Sequence, residues 1–139
     1  MSLDRYNYVA EACTQILRGK NVGYTLEGFP TTEDEWKAGY AEQIGTTEDN
    51  ISIMSTDPSE WQVTWAQIEV EAEKLKVEMP LQEVRIERNH RLTDTDWVVA
   101  KSIETGTPIS DDWKTYRQEL RDITKTATSM DDVVWPTKP

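Results

Sequence analysis

His90 is the only histidine of the chain, and it stands among Arg88, Asn89 and Arg91. A metal centre needs several ligands, and one histidine with no cysteine nearby supplies none of the usual sets. General-base work would need a positioned partner, which the sequence does not show. His90 is therefore read as a polar residue on a helix surface. Thr93-Asp94-Thr95-Asp96 sets two carboxylates two residues apart, a pattern that can hold a hard cation. A calcium loop would continue with spaced acids, a glycine and a bidentate glutamate. Trp97-Val98-Val99-Ala100 follows instead, so the pattern reads as helix-end capping. Cys13 has no basic neighbour to lower its pKa and lies on an apolar stripe, which suits a small core residue rather than a nucleophile. There is no phosphate-cradling glycine loop and no Ser-His-Asp set. The 26 acidic residues leave a catalytic carboxylate pair open, but nothing singles out two of them. No catalytic residue, metal site or cofactor is expected.

The remaining chemistry is that of contact. Arg88, Arg91, Trp97, Trp113, Tyr116, Arg117, Arg121, Trp135 and Pro136 crowd the last third of the chain. Trp, Tyr and Arg are the residue types that dominate binding hot spots. These nine are the candidate partner-binding residues. The competing reading keeps them inside the fold. Arg117 and Arg121, four apart, would then pair with Glu119, Asp122 and helix-terminal carbonyls, or lay their stems over Trp113 or Trp135. The tryptophans would clamp a two-helix module that Trp135-Pro136 folds back to close. Trp36, Trp61 and Trp65 are assigned to a core.

The elements that must position these residues follow from spacing. Leu3, Tyr6, Ala10, Cys13, Ile16 and Leu17 predict a helix over about 3–18, stopped by Gly19. Residues 21–29 suggest a short extended segment and a turn rather than a sheet. Thr32-x-x-Glu35 is a capping-box pattern opening a second helix, with Trp36, Tyr40 and Ile44 as its stripe and Gly45 as its end. Residues 46–56 read as a loop with one short strand at most, and Asp57-Pro58-Ser59-Glu60 as a single capped turn. Thr64-x-x-Gln67 opens a third helix over about 65–78. Pro80, which lacks an N–H and crowds the preceding turn, is expected to end it. A fourth helix spans about 81–93, a loop 102–108, and a fifth helix follows Ser110 with Trp113, Tyr116, Leu120 and Ile123 inward. The expected fold is mainly α, about five helices with little or no β structure, its C-terminal two-helix module closed by a Trp-Pro tail.

The formal charge of −11 is uneven. Residues 1–80 hold 15 Asp/Glu against 6 Lys/Arg, a difference of −9, so an acidic N-terminal region (1–80) is distinguished from a module over 81–139. Acidity argues against nucleic acid, whose phosphates need clustered Lys and Arg. No apolar run approaches the roughly 20 residues of a membrane span, and Met1–Arg5 lacks a signal pattern. A single cysteine fits a reducing compartment. The reading is of a soluble, non-secreted protein.

The block Arg88-Asn89-x-Arg91-Leu92-x-x-Thr95-Asp96-Trp97, then Trp113-x-x-Tyr116-Arg117-Gln118-x-Leu120-Arg121-Asp122-Ile123, then Trp135-Pro136-x-x-Pro139, resembles the tail-assembly-chaperone-like domain of tailed bacteriophages, over about residues 85–139. Thr124 stands where that family usually has a proline, so a different exit from the last helix is expected. The resemblance implies a non-enzymatic phage tail protein. The first reading is a structural or accessory component at the baseplate or fibre attachment, with 1–80 as an adapter. The alternative is a transient tail-fibre assembly chaperone absent from the finished particle; a small acidic hydrolase is the remote third. Implied partners are other tail, baseplate or tail-fibre proteins, with an oligomer inside a symmetric assembly left open and neither nucleic acid nor membrane. The implied location is the virion tail, assembled in the host cytoplasm.

Overall fold

The computed structural model describes residues 6–139, so Leu3 and the expected start of the first helix lie outside the described residues. Asn7 caps helix α1 (Tyr8–Leu17): its side-chain oxygen accepts from Ala10 N at 3.0 Å. Its amide nitrogen donates to Gly28 O at 2.8 Å, tying the helix to the loop after the first strand. Its buried residues are Val9, Ala12, Cys13 and Leu17; of the predicted stripe only Cys13 and Leu17 are among them, while Tyr6, Ala10 and Ile16 are half-buried.

The expectation of little or no β structure is overturned. Three strands, β1 (Tyr24–Leu26), β2 (Tyr40–Thr46) and β3 (Ser52–Ser55), form an antiparallel sheet in that order. Helix α2 (Glu33–Gly39) fills the connection from β1 to β2. Leu26 pairs with Tyr40, and Glu42 pairs with both Tyr24 and Ser55; a bulge falls at Ile44. The chain is thus mixed in class, not mainly helical. The predicted stripe Trp36, Tyr40, Ile44 belongs to two elements. Thr32 does cap α2, accepting from Glu35 N at 3.3 Å, but the helix gives way to strand after Gly39. Gly39 accepts from Glu27 N across the β1 side at 3.0 Å, and a Cβ there would come within 3.1 Å of Glu27 O. A side chain there would force the Glu27 backbone to give way by a few tenths of an ångström, and beyond Gly39 Tyr40 and Glu42 bury on alternate positions, as a strand requires.

A second correction concerns Pro80. A single helix, α3 (Trp65–Thr93), runs through it. Proline removes one backbone hydrogen bond, to Lys76 O, and costs about 3 kcal/mol against alanine in a helix interior. Side chains buried on both sides of it, Ile68, Ala72 and Leu75 before and Val84 after, offset that cost. The helix opens with a reciprocal capping box, Gln67 N to Thr64 Oγ1 at 3.4 Å and Thr64 N to Gln67 Oε1 at 3.0 Å. The expected 102–108 loop is also shortened by a helix, α4 (Asp96–Thr105), which ends on Gly106 in the left-handed conformation. Helix α5 (Asp111–Asp122) follows Ser110, and a 3-10 turn at Ile123–Lys125 forms its exit at the position of Thr124.

The described chain divides into two compact units, reaching to Lys76 and starting at Val77. In the first, Trp36, Tyr40 and Trp61 form a mutual cluster with centroids 4.8–5.1 Å apart, and Trp65 lies 5.8 Å from Trp36. In the second, Val84, Ile123 and Ala127 form a core against which Val133 and Trp135 pack.

Candidate functional site

Seven of the nine candidate residues fall into three groups within the second unit. The first is a buried node at Arg117. Its guanidinium donates to Leu92 O at 2.9 Å, to Thr95 Oγ1 at 2.6 Å and to Asp96 Oδ1 at 2.7 Å. Leu92 lies in the last turn of α3, and Thr95 and Asp96 open α4, so one side chain of α5 ties three helices. Arg117 is 8% exposed and Thr95 is buried. The Thr95 hydroxyl donates back to the closing carbonyls of α3, Leu92 O at 3.0 Å and Arg91 O at 3.2 Å. The Thr-Asp pair does serve a helix end, but through this node: Thr95 makes no side-chain cap bond to α4. Only a planar fork with several donors reaches all three acceptors.

The second group is a row of rings. Trp97 meets Trp113 edge to face at 5.8 Å, and Trp113 meets Tyr116 likewise at 6.0 Å. Tyr116 is buried, Trp113 half-buried, and Trp97 53% exposed. The row therefore leads from the core to the surface.

The third group closes the tail. The Arg91 guanidinium lies 4.4 Å from the Trp135 ring centroid while its Nε holds Glu87 at 2.7 Å. Asp132 shapes the approach to Trp135 by accepting from Thr128 N and Ser129 N, each at 2.9 Å, and from Thr128 Oγ1 at 2.5 Å. These bonds hold its carboxyl below the ordinary aspartate range, the Thr128 hydroxyl contributing most. Trp135 and Pro136 form one side of an open groove of about 820 Å³ whose other side is α5, with Gln118 and Asp122.

Two other candidates stand apart. Arg88 is half-buried and donates to Asn89 Oδ1 at 2.9 Å. Arg121 is exposed and has no hydrogen bond or ion pair among the described residues. His90 is exposed, with Nδ1 3.5 Å from Asp94. Among the described residues no cluster of His, Cys, Asp or Glu is placed to hold a metal ion, and no helix is long and apolar enough to cross a membrane.

One residue that sequence reasoning passed over is Glu42, whose side chain is fully buried in the first unit. Its carboxylate accepts from Tyr40 Oη at 2.7 Å, Gln62 N at 2.5 Å and Val63 N at 3.3 Å. It latches the segment that leads into α3 onto the sheet. The alternation of burial at Tyr40 and Glu42 has no counterpart in an apolar alternation of residue types, and nothing in the sequence marks a glutamate for burial. Beside this latch, burial pushes the Cys13 thiol up to about 12, with the Trp36 indole only partly opposing. A thiol so held is inert.

No curated protein and no solved structure matches the chain. Residues 81–139, about two-fifths of the chain, match the family model described as phage tail assembly chaperone protein, the family that the Arg, Trp and Trp-Pro motifs resemble.

Proposed function

We propose that this protein is a transient assembly chaperone for a bacteriophage tail protein, the tail fibre being the first client to test, and that it leaves before the particle is complete. The family match over residues 81–139 carries this reading, because that family is described by assembly rather than by residence in the particle or by a reaction. It therefore ranks above the structural component at the baseplate or fibre attachment that the sequence placed first.

The disposition of the candidate residues gives the reading a contact surface. Arg117 and Tyr116 are spent inside the module, and Arg91 and Trp135 hold each other. Trp97 with the open edge of Trp113, together with Arg121, remains available to a client. An exposed tryptophan supported by a second ring is a rigid anchor that loses little entropy on binding.

Deleting the gene tests the reading. A chaperone predicts particles lacking a functional tail structure, with the client accumulating as aggregate, and rescue by protein supplied in trans during assembly. Rescue by adding the purified protein to finished defective particles contradicts it, since that is how a missing structural part behaves.

A further inference from the structure

We propose that an apolar cleft in the first unit seats a segment of the client that carries large apolar side chains flanked by lysine or arginine. This deepens the chaperone reading and rests on it. The cleft encloses about 650 Å³, within the range of built binding pockets. Val9 of α1 and Ile68 and Ala72 of α3 line it as buried residues, while Tyr8 and Trp65 are half-buried beside them. Phe29, the only phenylalanine of the chain, stands at its lip 65% exposed. The backbone that carries that ring is held on both sides. Asn7 fixes the neighbouring Gly28 carbonyl at 2.8 Å, and Pro30 is buried just beyond. A large ring held in water over an apolar hollow is surface that a partner would cover.

The charge around the cleft selects the partner. Glu69 and Glu73 lie one turn apart on the α3 edge of the cleft. Lys76 answers Glu73 at 2.5 Å, whereas Glu69 has no hydrogen bond or ion pair among the described residues. The surrounding N-terminal region, residues 1–80, carries the difference of −9. An acidic segment is repelled there, a neutral polar one gains nothing from the apolar hollow, and a basic one is drawn in and oriented. The apolar hollow supplies affinity, and the glutamates supply choice.

Overlapping peptides spanning the tail proteins of the same phage, titrated into the full chain, test this. Binding peptides should combine Leu, Phe or Trp with nearby Lys or Arg and should shift the amide resonances of Phe29, Trp65 and Ile68. Because Phe29 is exposed, Phe29→Ser leaves the melting temperature unchanged and should weaken binding about tenfold or more. Glu69→Lys should weaken it several-fold and flatten its salt dependence. The proposal is overturned if no peptide binds, if acidic or polar peptides bind best, or if binding ignores both substitutions. It is also overturned if deleting residues 1–5 alone produces the cleft shifts, since the chain would then fill its own cleft. None of these outcomes touches the requirement for the protein in tail assembly, which the gene deletion reads separately.

Discussion

Arg117→Ala should destabilise the second unit before it affects any contact. The guanidinium makes three hydrogen bonds, of which the one to Asp96 ends on a side chain 62% exposed. Solvent screening limits that ion pair to at most about 1 kcal/mol. The bonds to Leu92 O and to the buried Thr95 hydroxyl contribute about 1–1.5 kcal/mol each; Leu92 O keeps Thr95 N and Oγ1 as donors when the arginine goes, so no bare acceptor adds to the loss. Together these terms amount to about 2–4 kcal/mol. For a unit spanning 77–139, at about 4–8 °C per kcal/mol, the melting temperature should fall by about 8 °C or more. Arg117→Lys keeps the charge but not the fork, so it should cost about half as much. Calorimetry or fluorescence of the C-terminal tryptophans reads the change, and amide exchange at the start of α4 should accelerate with it. Lost client binding at an unchanged melting temperature would refute the reasoning and return Arg117 to the contact surface.

Other perturbations address separate parts of the structure. Glu42→Ala strips a buried acceptor from two backbone amides and Tyr40, and should cost about 3–5 kcal/mol in denaturant unfolding. Glu42→Gln should cost clearly less, and equal losses would show that the latch geometry is not what matters. Cys13, with its thiol raised to about 12, should resist a thiol reagent at neutral pH until denaturant is added; rapid reaction of the native chain would contradict its burial. Asp132 has a folded pKa below its unfolded one, so its contribution is present above the ordinary aspartate range and is lost as pH falls through the depressed value. A carboxyl NMR titration should therefore show a midpoint below that of free aspartate, with the Thr128 and Ser129 amides moving alongside. A normal midpoint would dissolve that turn.

The sequence made local chemistry legible and long-range choice opaque. The caps at Thr32 and Thr64, the Asp57 turn and the α5 stripe each depend on residues within one or two turns, and each formed. Trp36, Tyr40 and Ile44 satisfy helical spacing, yet Tyr40 also fits a strand. In the fold Tyr40 pairs with Leu26 of β1, fourteen residues distant in sequence, and so stands in a strand. Pro80 carries a real local penalty, but packing along α3 outweighs it, and no window of sequence contains that comparison. Helix α4 was missed because it buries only Val98 and leaves Trp97 and Ile103 outward, so it has almost no periodic stripe. The candidate residues came from type and spacing, which sufficed to gather the Trp97–Trp113–Tyr116 row. Spacing does not reveal that Arg117 is consumed internally, because its partners Leu92, Thr95 and Asp96 belong to other helices.

Quantitative mass spectrometry of purified particles, set against the lysate that produced them, tests the central claim most directly. A transient chaperone predicts the protein in the lysate, associated with its client, and its absence from finished particles. A fixed, stoichiometric number of copies in every particle would contradict the account and restore the structural component.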